Sequence, residues 1–260
     1  MALLRTEGVS KAFGGVQALD DCSIEIEQGS IAGLIGPNGS GKTTLFNMIT
    51  GYGRVDSGDV YLNDAKITNL APDRVFGLGI GRTFQLTRVF SRLTVMENMI
   101  VAAHHKERAG QRGRGRVRNP FARAGGPATR QRAMELLEFT GIAKLAGERA
   151  ETLSYGQRKL LELSYVLIAA PEIILLDEPA GGVNPTLIGT ISDRIRELNR
   201  RGTTFLIVEH NMEFVMGLCD RVTVLDYGNA VVSGPPDVIR NDHRVLDAYL
   251  GTAEEDDGSS

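Results

Sequence analysis

The sequence predicts an α/β fold built on a central parallel sheet, and three stretches carry that prediction. In the first, the apolar run Ile31-Ala32-Gly33-Leu34-Ile35 leads into the loop Gly36-Pro37-Asn38-Gly39-Ser40-Gly41 and then a helix-like segment through residue 49. The second is Ile173-Ile174-Leu175-Leu176, a short continuous apolar run ending in Asp177 and Glu178. Strands buried on both faces read this way, and α/β sheets carry their chemistry at strand carboxyl ends. In the third, residues 185–200 read as a helix and 203–208 as another buried strand, which completes a βαβ pattern.

Residues 36–43 match G-x-x-x-x-G-K-[ST], the P-loop pattern, in the strand, loop, helix context that gives the pattern meaning. Glycines let such a loop wrap inward, so that successive N–H groups converge on a phosphate chain at a helix N-terminus. Lys42 is expected to reach the β- and γ-phosphates, and the Thr43 hydroxyl to ligate Mg²⁺. Gly36, Pro37, Asn38, Gly39, Ser40, Gly41, Lys42, Thr43 and Thr44 form the expected phosphate-binding set.

With 260 residues the chain can bury a substantial core, and its 42% hydrophobic and 23% charged residues are those of a globular protein. A net charge of −3 argues against nucleic-acid binding by bulk electrostatics. Cys22 and Cys219 have no partners at metal-ligand spacing and read as two buried thiols. The N-terminus lacks the pattern of a signal peptide, and no apolar run is long enough to span a bilayer, since Pro171 and Glu172 break the best candidate at 166–176.

Taken in order, residues 3–9 and 22–26 alternate as short strands, with Phe13 before two glycines. Residues 59–62 read as a strand, 72–78 as a helix, and 80–85 as a strand ending at Gln85. Thr94 with Glu97 three residues later forms a capping-box pattern for a helix through about residue 103. Composition then shifts: residues 106–132 hold eight Arg and one Lys against one acid, which reads as a flexible basic linker, with anionic lipid headgroups as the functional alternative. Residues 133–141 read as a helix closed by Gly141, and Leu153-Ser154-Tyr155-Gly156-Gln157 opens a longer helix that Pro171 ends. After the strand 203–208 come Glu209-His210, a helix at 211–218 and a hairpin turning at Tyr227-Gly228-Asn229. Residues 236–250 read as terminal helices, followed by an acidic tail. Asp177 is expected at the end of a strand beside the P-loop strand, where it would support Mg²⁺, with Glu178 placed to polarise a water.

The set Gly36 to Thr43, Gln85, Leu153 to Gln157, Ile173 to Glu178 and His210 resembles the ATP-binding cassette of ABC transporters, in the family's order and across nearly the whole chain. More narrowly, Gly81-Arg82-Thr83-Phe84-Gln85, Tyr155, Val208-Glu209-His210-Asn211-Met212 and Ala248-Tyr249-Leu250-Gly251 are similar to the ATP-binding subunits of branched-chain amino acid importers and their amide and urea relatives. The resemblance implies a single α/β domain with a RecA-like P-loop NTPase core. An antiparallel β subdomain and an inserted helical subdomain complete it. The core takes 1–85 and 166–235, the helical part 86–165, and 236–260 forms the terminal helices and tail.

The same resemblance implies an ATPase that uses ATP and Mg²⁺ and drives uptake of a small polar solute, branched-chain amino acids or a related amide. Phe13 would stack on adenine. Gln85 would sense Mg²⁺ and the attacking water, so that the metal set is Thr43, Gln85 and Asp177. Glu178 would be the catalytic base, His210 would hold the γ-phosphate and water in line, and Lys42 completes the catalytic set with Gln85. Ser154, Gly156 and the helix starting near Gln157 would bind the γ-phosphate of ATP on a second copy. Its partners would be transmembrane permease subunits, a second ATP-binding subunit (identical or paralogous) and, indirectly, a solute-binding protein, with no nucleic acid. The chain would then sit peripherally at the cytoplasmic face of the membrane. A lipopolysaccharide-type exporter ATPase and an ABC ATPase acting on nucleic acid or ribosomes are the alternatives. Two positions depart from the family pattern: Tyr155 stands where a glycine is usual, and Asn184 where an aspartate is more frequent.

Overall fold

The computed structural model describes residues 1–83, 89–110, with side chains through 103, and 126–245. The expectations for Phe84, Gln85, most of the basic stretch (111–125), residues 248–251 and the acidic tail lie outside the described residues.

An antiparallel sheet opens the chain: β1 (Ala2–Phe13), β2 (Val16–Glu27), β4 (Ser57–Leu62) and β5 (Ala65–Lys66), in the order β2-β1-β4-β5. Its first two strands run 12 residues each, longer than the alternation at 3–9 and 22–26 predicts. Register shifts along the pair, one beside Gly8 at φ 59, absorb the breaks in alternation. Gly14 and Gly15, at φ 54 and 89, close the hairpin with a two-residue turn.

The second sheet holds β3 (Ile31–Ile35), β6 (Ile80–Arg82), β7 (Ile173–Asp177), β8 (Thr204–Val208), β9 (Arg221–Asp226) and β10 (Asn229–Gly234), in the order β10-β9-β3-β8-β7-β6. Every residue of β3, β7 and β8 is buried, as their unbroken apolar runs require. Alternation survives as a choice between two cores. Leu34, Leu175 and Leu206 face the antiparallel sheet and Phe46 of α1 (Lys42–Ile49). Ile35, Ile174 and Ile207 face the opposite core, with Leu161 and Ile195.

One expectation about this sheet is corrected. β7 is not beside the P-loop strand; β8 lies between them. The strands nevertheless end level, because Val208 pairs with both Leu34 and Asp177. Local pattern carries no information on strand order, which the returning βαβ connection decides.

Helices complete the layers: α2 (Pro72–Gly77), α3 (Val95–Gly110), α4 (Pro127–Thr140), α5 (Tyr155–Leu167), α6 (Pro185–Arg200), α7 (Met212–Leu218) and α8 (Pro236–Arg240). Thr94 and Glu97 form the predicted capping box, Glu97 N–H donating to Thr94 Oγ1 at 3.1 Å and Thr94 N–H to Glu97 Oε2 at 2.8 Å. Past the apolar pattern, α3 continues to Gly110 through good helix formers. Pro127 starts α4 six residues before the predicted 133, since proline suits the first helical turn, and Gly141 ends it at φ 80. α3, α4 and α5 pack on one another at the β6 side of the sheet.

Candidate functional site

The glycine loop joins β3 to α1, and neighbouring backbone grips it. A Cβ at Gly36 would lie 2.0 Å from the Leu225 carbonyl oxygen, and one at Gly41 2.5 Å from that of Ala18. Both positions have positive φ, 148 and 101. Only glycine satisfies both constraints. Gly228 N–H donates to Ser40 O at 3.0 Å, which ties the loop to the β9–β10 turn. Pro37 and Ser40 are buried, Asn38, Gly39 and Thr43 exposed, and Thr44 half-buried.

Lys42 Nζ folds back into this loop, donating to Gly36 O at 2.8 Å and Pro37 O at 2.7 Å and lying 3.3 Å from Ser40 Oγ. Burial pushes its pKa down from the usual lysine value, and the negative charges of Glu178 and Asp177 oppose that shift. The two acids at the end of β7 therefore share one field with the P-loop lysine.

Asp177 is 4% exposed. Arg82, the last residue of β6, reaches it from Nη2 at 3.1 Å while its Nη1 donates to Asn47 Oδ1 at 2.7 Å and Thr50 Oγ1 at 3.0 Å on and just after α1. Glu178 follows with φ 48, and the Nδ1 atom of the exposed His210 lies 3.7 Å from its Oε1. Thus Lys42, Asp177, Glu178 and His210 come together at the carboxyl ends of β3, β7 and β8, beside the glycine loop.

Phe13 sits at the hairpin tip, 54% exposed, with Lys11 Nζ 5.3 Å from its ring centroid. The hairpin reaches the P-loop through Ala18, beside Gly41, and the β9–β10 turn through Asp20, whose N–H donates to Gly228 O at 3.1 Å. The pentapeptide residues lie elsewhere, at the start of α5. Ser154 and Gln157 bond each other as a capping box, and Gly156 packs on Leu187 and Val183. Tyr155, one departure from the family pattern, lays its ring 3.2 Å from where Gly182 would carry a Cβ; Asn184, the other, caps α6 by accepting from Leu187 N–H at 3.0 Å.

Among the described residues no group of three His, Cys, Asp or Glu could hold a metal alone. Mg²⁺ is ordinarily held by one or two protein oxygens together with phosphate oxygens and waters, so the hydroxyl of Thr43 and the carboxylate of Asp177 are a donor set that fits it. Sequence reasoning gave no site role to three residues, although Arg82 and Glu209 stand in the quoted motifs. Arg82, Lys159 and Glu209 are charged but nearly enclosed: the side chain of Arg82 is 6% exposed, Lys159 is 7% and Glu209 0%. A charged residue in a linear pattern reads as surface, and its burial is decided by partners far away in sequence.

No helix among the described residues is long and apolar enough to cross a membrane. The ABC transporter family model matches residues 19–181, and a model for branched-chain amino acid ATP-binding cassette transporters matches 231–255. The high-affinity branched-chain amino acid transport ATP-binding protein LivG of Salmonella typhimurium is 38% identical, over 96% of this chain and 98% of that protein. Its counterpart BraF from Pseudomonas aeruginosa is 33% identical at the same coverage. Among solved structures, the ADP conformation of MJ1267, an ATP-binding cassette of an ABC transporter, superposes with a TM-score of 0.84 at 34% identity, over 96% of this chain and 99% of that one. Dimeric MJ0796, a bacterial ABC transporter cassette, gives 0.77 at 26% identity, over 90% and 98%. On this site and these likenesses, the chain belongs to the ABC transporter family, as one of its ATP-hydrolysing cassettes.

Proposed function

We propose that this chain energises an importer of branched-chain amino acids or a related amide, hydrolysing MgATP at a site completed by a second cassette. One observation carries the reading: the P-loop lysine, two acids and a histidine converge at the carboxyl ends of three neighbouring strands. The glycine loop cradles the phosphates with its N–H groups. Lys42 exchanges the carbonyl oxygens of Gly36 and Pro37 for phosphate oxygens, a swap that needs only side-chain motion. Thr43 and Asp177 would hold Mg²⁺, which supplies charge neutralisation on the phosphates when bound. Glu178 takes the proton of the attacking water, and His210 holds the water and γ-phosphate in line. Phe13 stacks on the base. Gln85, which lies outside the described residues, would sense Mg²⁺ and the attacking water.

Ser154, Gly156 and Gln157 serve the partner cassette. They start a helix packed on the β6 side of the sheet, and β8 and β7 separate β6 from β3, about 14 Å at ordinary strand spacing. In this reading the core takes 1–85 and 166–235, the helical part 86–165, and 236–260 the remainder. Membrane permease subunits are the remaining direct partners and bring the chain to the cytoplasmic face of the membrane, with a solute-binding protein acting indirectly. The branched-chain model over 231–255 and the names LivG and BraF favour the importer over the exporter and nucleic-acid readings.

The test is size-exclusion chromatography of Glu178→Gln with and without MgATP, beside the wild-type ATPase rate. The expected result is an ATP-dependent dimer, alone or mixed with a paralogous cassette, and hydrolysis only in the wild type. A variant that binds ATP tightly yet stays monomeric in both mixtures would overturn the shared-site reading.

A further inference from the structure

Glu178 has φ 48, a left-handed backbone that a non-glycine residue keeps only where its surroundings hold it. Two buried charges from different elements bond this segment, one at Glu178 and one two residues on. Lys159, on the second turn of α5, donates from Nζ to the Glu178 carbonyl oxygen at 2.9 Å. Glu209, just past β8, accepts from Ala180 N–H through Oε1 at 2.6 Å, and through Oε2 from the N–H groups of His210 and Asn211 at 3.0 and 3.2 Å. Both side chains are at least nine-tenths enclosed, and buried charges persist where they are paired or hydrogen-bonded. The segment Glu178 to Ala180 is thus held at one end by a cation and at the other by an anion, and the anion also fixes the backbone of His210. Glu178 N–H donates to Val208 O at 2.9 Å and so adds the sheet itself as a third support.

We infer that Lys159 and Glu209 are positioning residues that set the Glu178 carboxylate against the attacking water, and that Lys159 makes that setting depend on α5. The inference rests on the reading of Glu178 as base. α5 also carries Ser154 and Gly156, and its first turn touches the far side of the same loop, Tyr155 against Gly182 and Gly156 against Val183, with Leu187 of α6 beside it. Lys159 Nζ lies 5.7 Å from the Tyr155 ring centroid, so the cation is linked to the pentapeptide directly. When the start of α5 engages a nucleotide on the second cassette, the shift reaches the carbonyl of Glu178 through one hydrogen bond. Hydrolysis in one site is in this way conditioned on engagement at the other, without a change in phosphate binding.

The experiment measures basal ATPase activity and its KM in the transporter reconstituted from this chain and its membrane subunits, for Lys159→Met, Lys159→Arg, Glu209→Gln and Glu178→Gln. Displacing a reacting group by about 1 Å costs on the order of 10²-fold in rate. Lys159→Met and Glu209→Gln are therefore expected to lose about 10²-fold in kcat with KM unchanged, and Lys159→Arg, which keeps a cationic donor, to recover most of the loss. Glu209→Gln is isosteric and keeps one acceptor oxygen, so it reports on the anion even if Lys159→Met fails to fold. Wild-type kcat in Glu209→Gln, or the same loss in Lys159→Arg as in Lys159→Met, overturns the inference. Glu178→Gln separates the two readings. If it hydrolyses ATP normally, the base assignment fails; if it is inactive while Glu209→Gln turns over at the wild-type rate, only the positioning role fails.

Discussion

Arg82 offers a sharp test of how the site is held together, because its guanidinium joins three segments. It pairs with Asp177 at 3.1 Å, with both side chains 6% exposed, and bonds Asn47 and Thr50. Its carbon also lies 5.5 Å from the Phe46 ring centroid. Replacing Arg82 by Leu keeps an apolar stem but leaves the Asp177 carboxylate enclosed without its cation, and removing one partner of a buried pair costs about 3–5 kcal/mol. Losing the donors to Asn47 and Thr50 adds about 1 kcal/mol each at most. At about 2–4 °C per kcal/mol for a chain of this size, the combined loss of about 3–7 kcal/mol should lower Tm in the absence of nucleotide by roughly 6–28 °C. Thermal unfolding by circular dichroism measures it. Adding Asp177→Asn to Arg82→Leu removes the orphaned charge, so the double variant should be more stable than the sum of the singles by about 0.5–3 kcal/mol. A Tm loss below about 3 °C, or strictly additive singles, would refute the view that Arg82 compensates Asp177.

Two other outcomes follow from the described geometry. Phe13→Ala should weaken binding of a non-hydrolysable ATP analogue by about 1–3 kcal/mol, roughly 5- to 150-fold, since one stacked base is lost. Its nucleotide-free Tm should stay within about 2 °C because the ring is 54% exposed, and calorimetry showing unchanged affinity would remove Phe13 from the site. Cys22 and Cys219 are both pushed up to about 12, by burial first and then by the neighbouring Asp21 and Asp220. Raising a thiol pKa shrinks its thiolate fraction, here roughly 10³-fold near pH 8, so a disulfide reagent should label neither cysteine in the native protein and both in denaturant. Rapid native labelling would contradict their enclosure.

What was legible in the sequence is what local chemistry dictates. The glycine loop needs its glycines because of φ and close approach, the strands flanking it need continuous apolar runs, and one helix start carries the predicted cap at Thr94. Strand order was not legible, and β8 between β3 and β7 overturned the expected adjacency of Asp177. Nor was the length of the first hairpin, since bulges interrupt the alternation that signals a strand. The largest omission concerns Arg82, Lys159 and Glu209. Each has the composition of a surface residue and each is enclosed, held by partners 95, 19 and 29 residues away. Tyr155 and Asn184 look like defects against the family pattern, yet the ring covers Gly182 and the amide caps α6 as an aspartate would.

These observations divide the site into two parts with different mechanical character. The phosphate cradle is set by close backbone contacts, Gly36 under the Leu225 carbonyl, Gly41 beside Ala18, and Ser40 bonded to Gly228. The proposed base is held differently, because the carbonyl of the left-handed Glu178 is bonded by a lysine from α5 and the N–H of Ala180, two residues on, by a glutamate from the end of β8. On the proposed reading, a preformed cradle with a conditional base would let one chain bind ATP while idle, and hydrolyse it once α5 has met a second cassette. Substitution of Lys159 should then change kcat and leave KM alone, whereas substitutions in the glycine loop should change KM first. That division of labour is what a transporter requires if ATP binding and ATP hydrolysis are to drive separate steps.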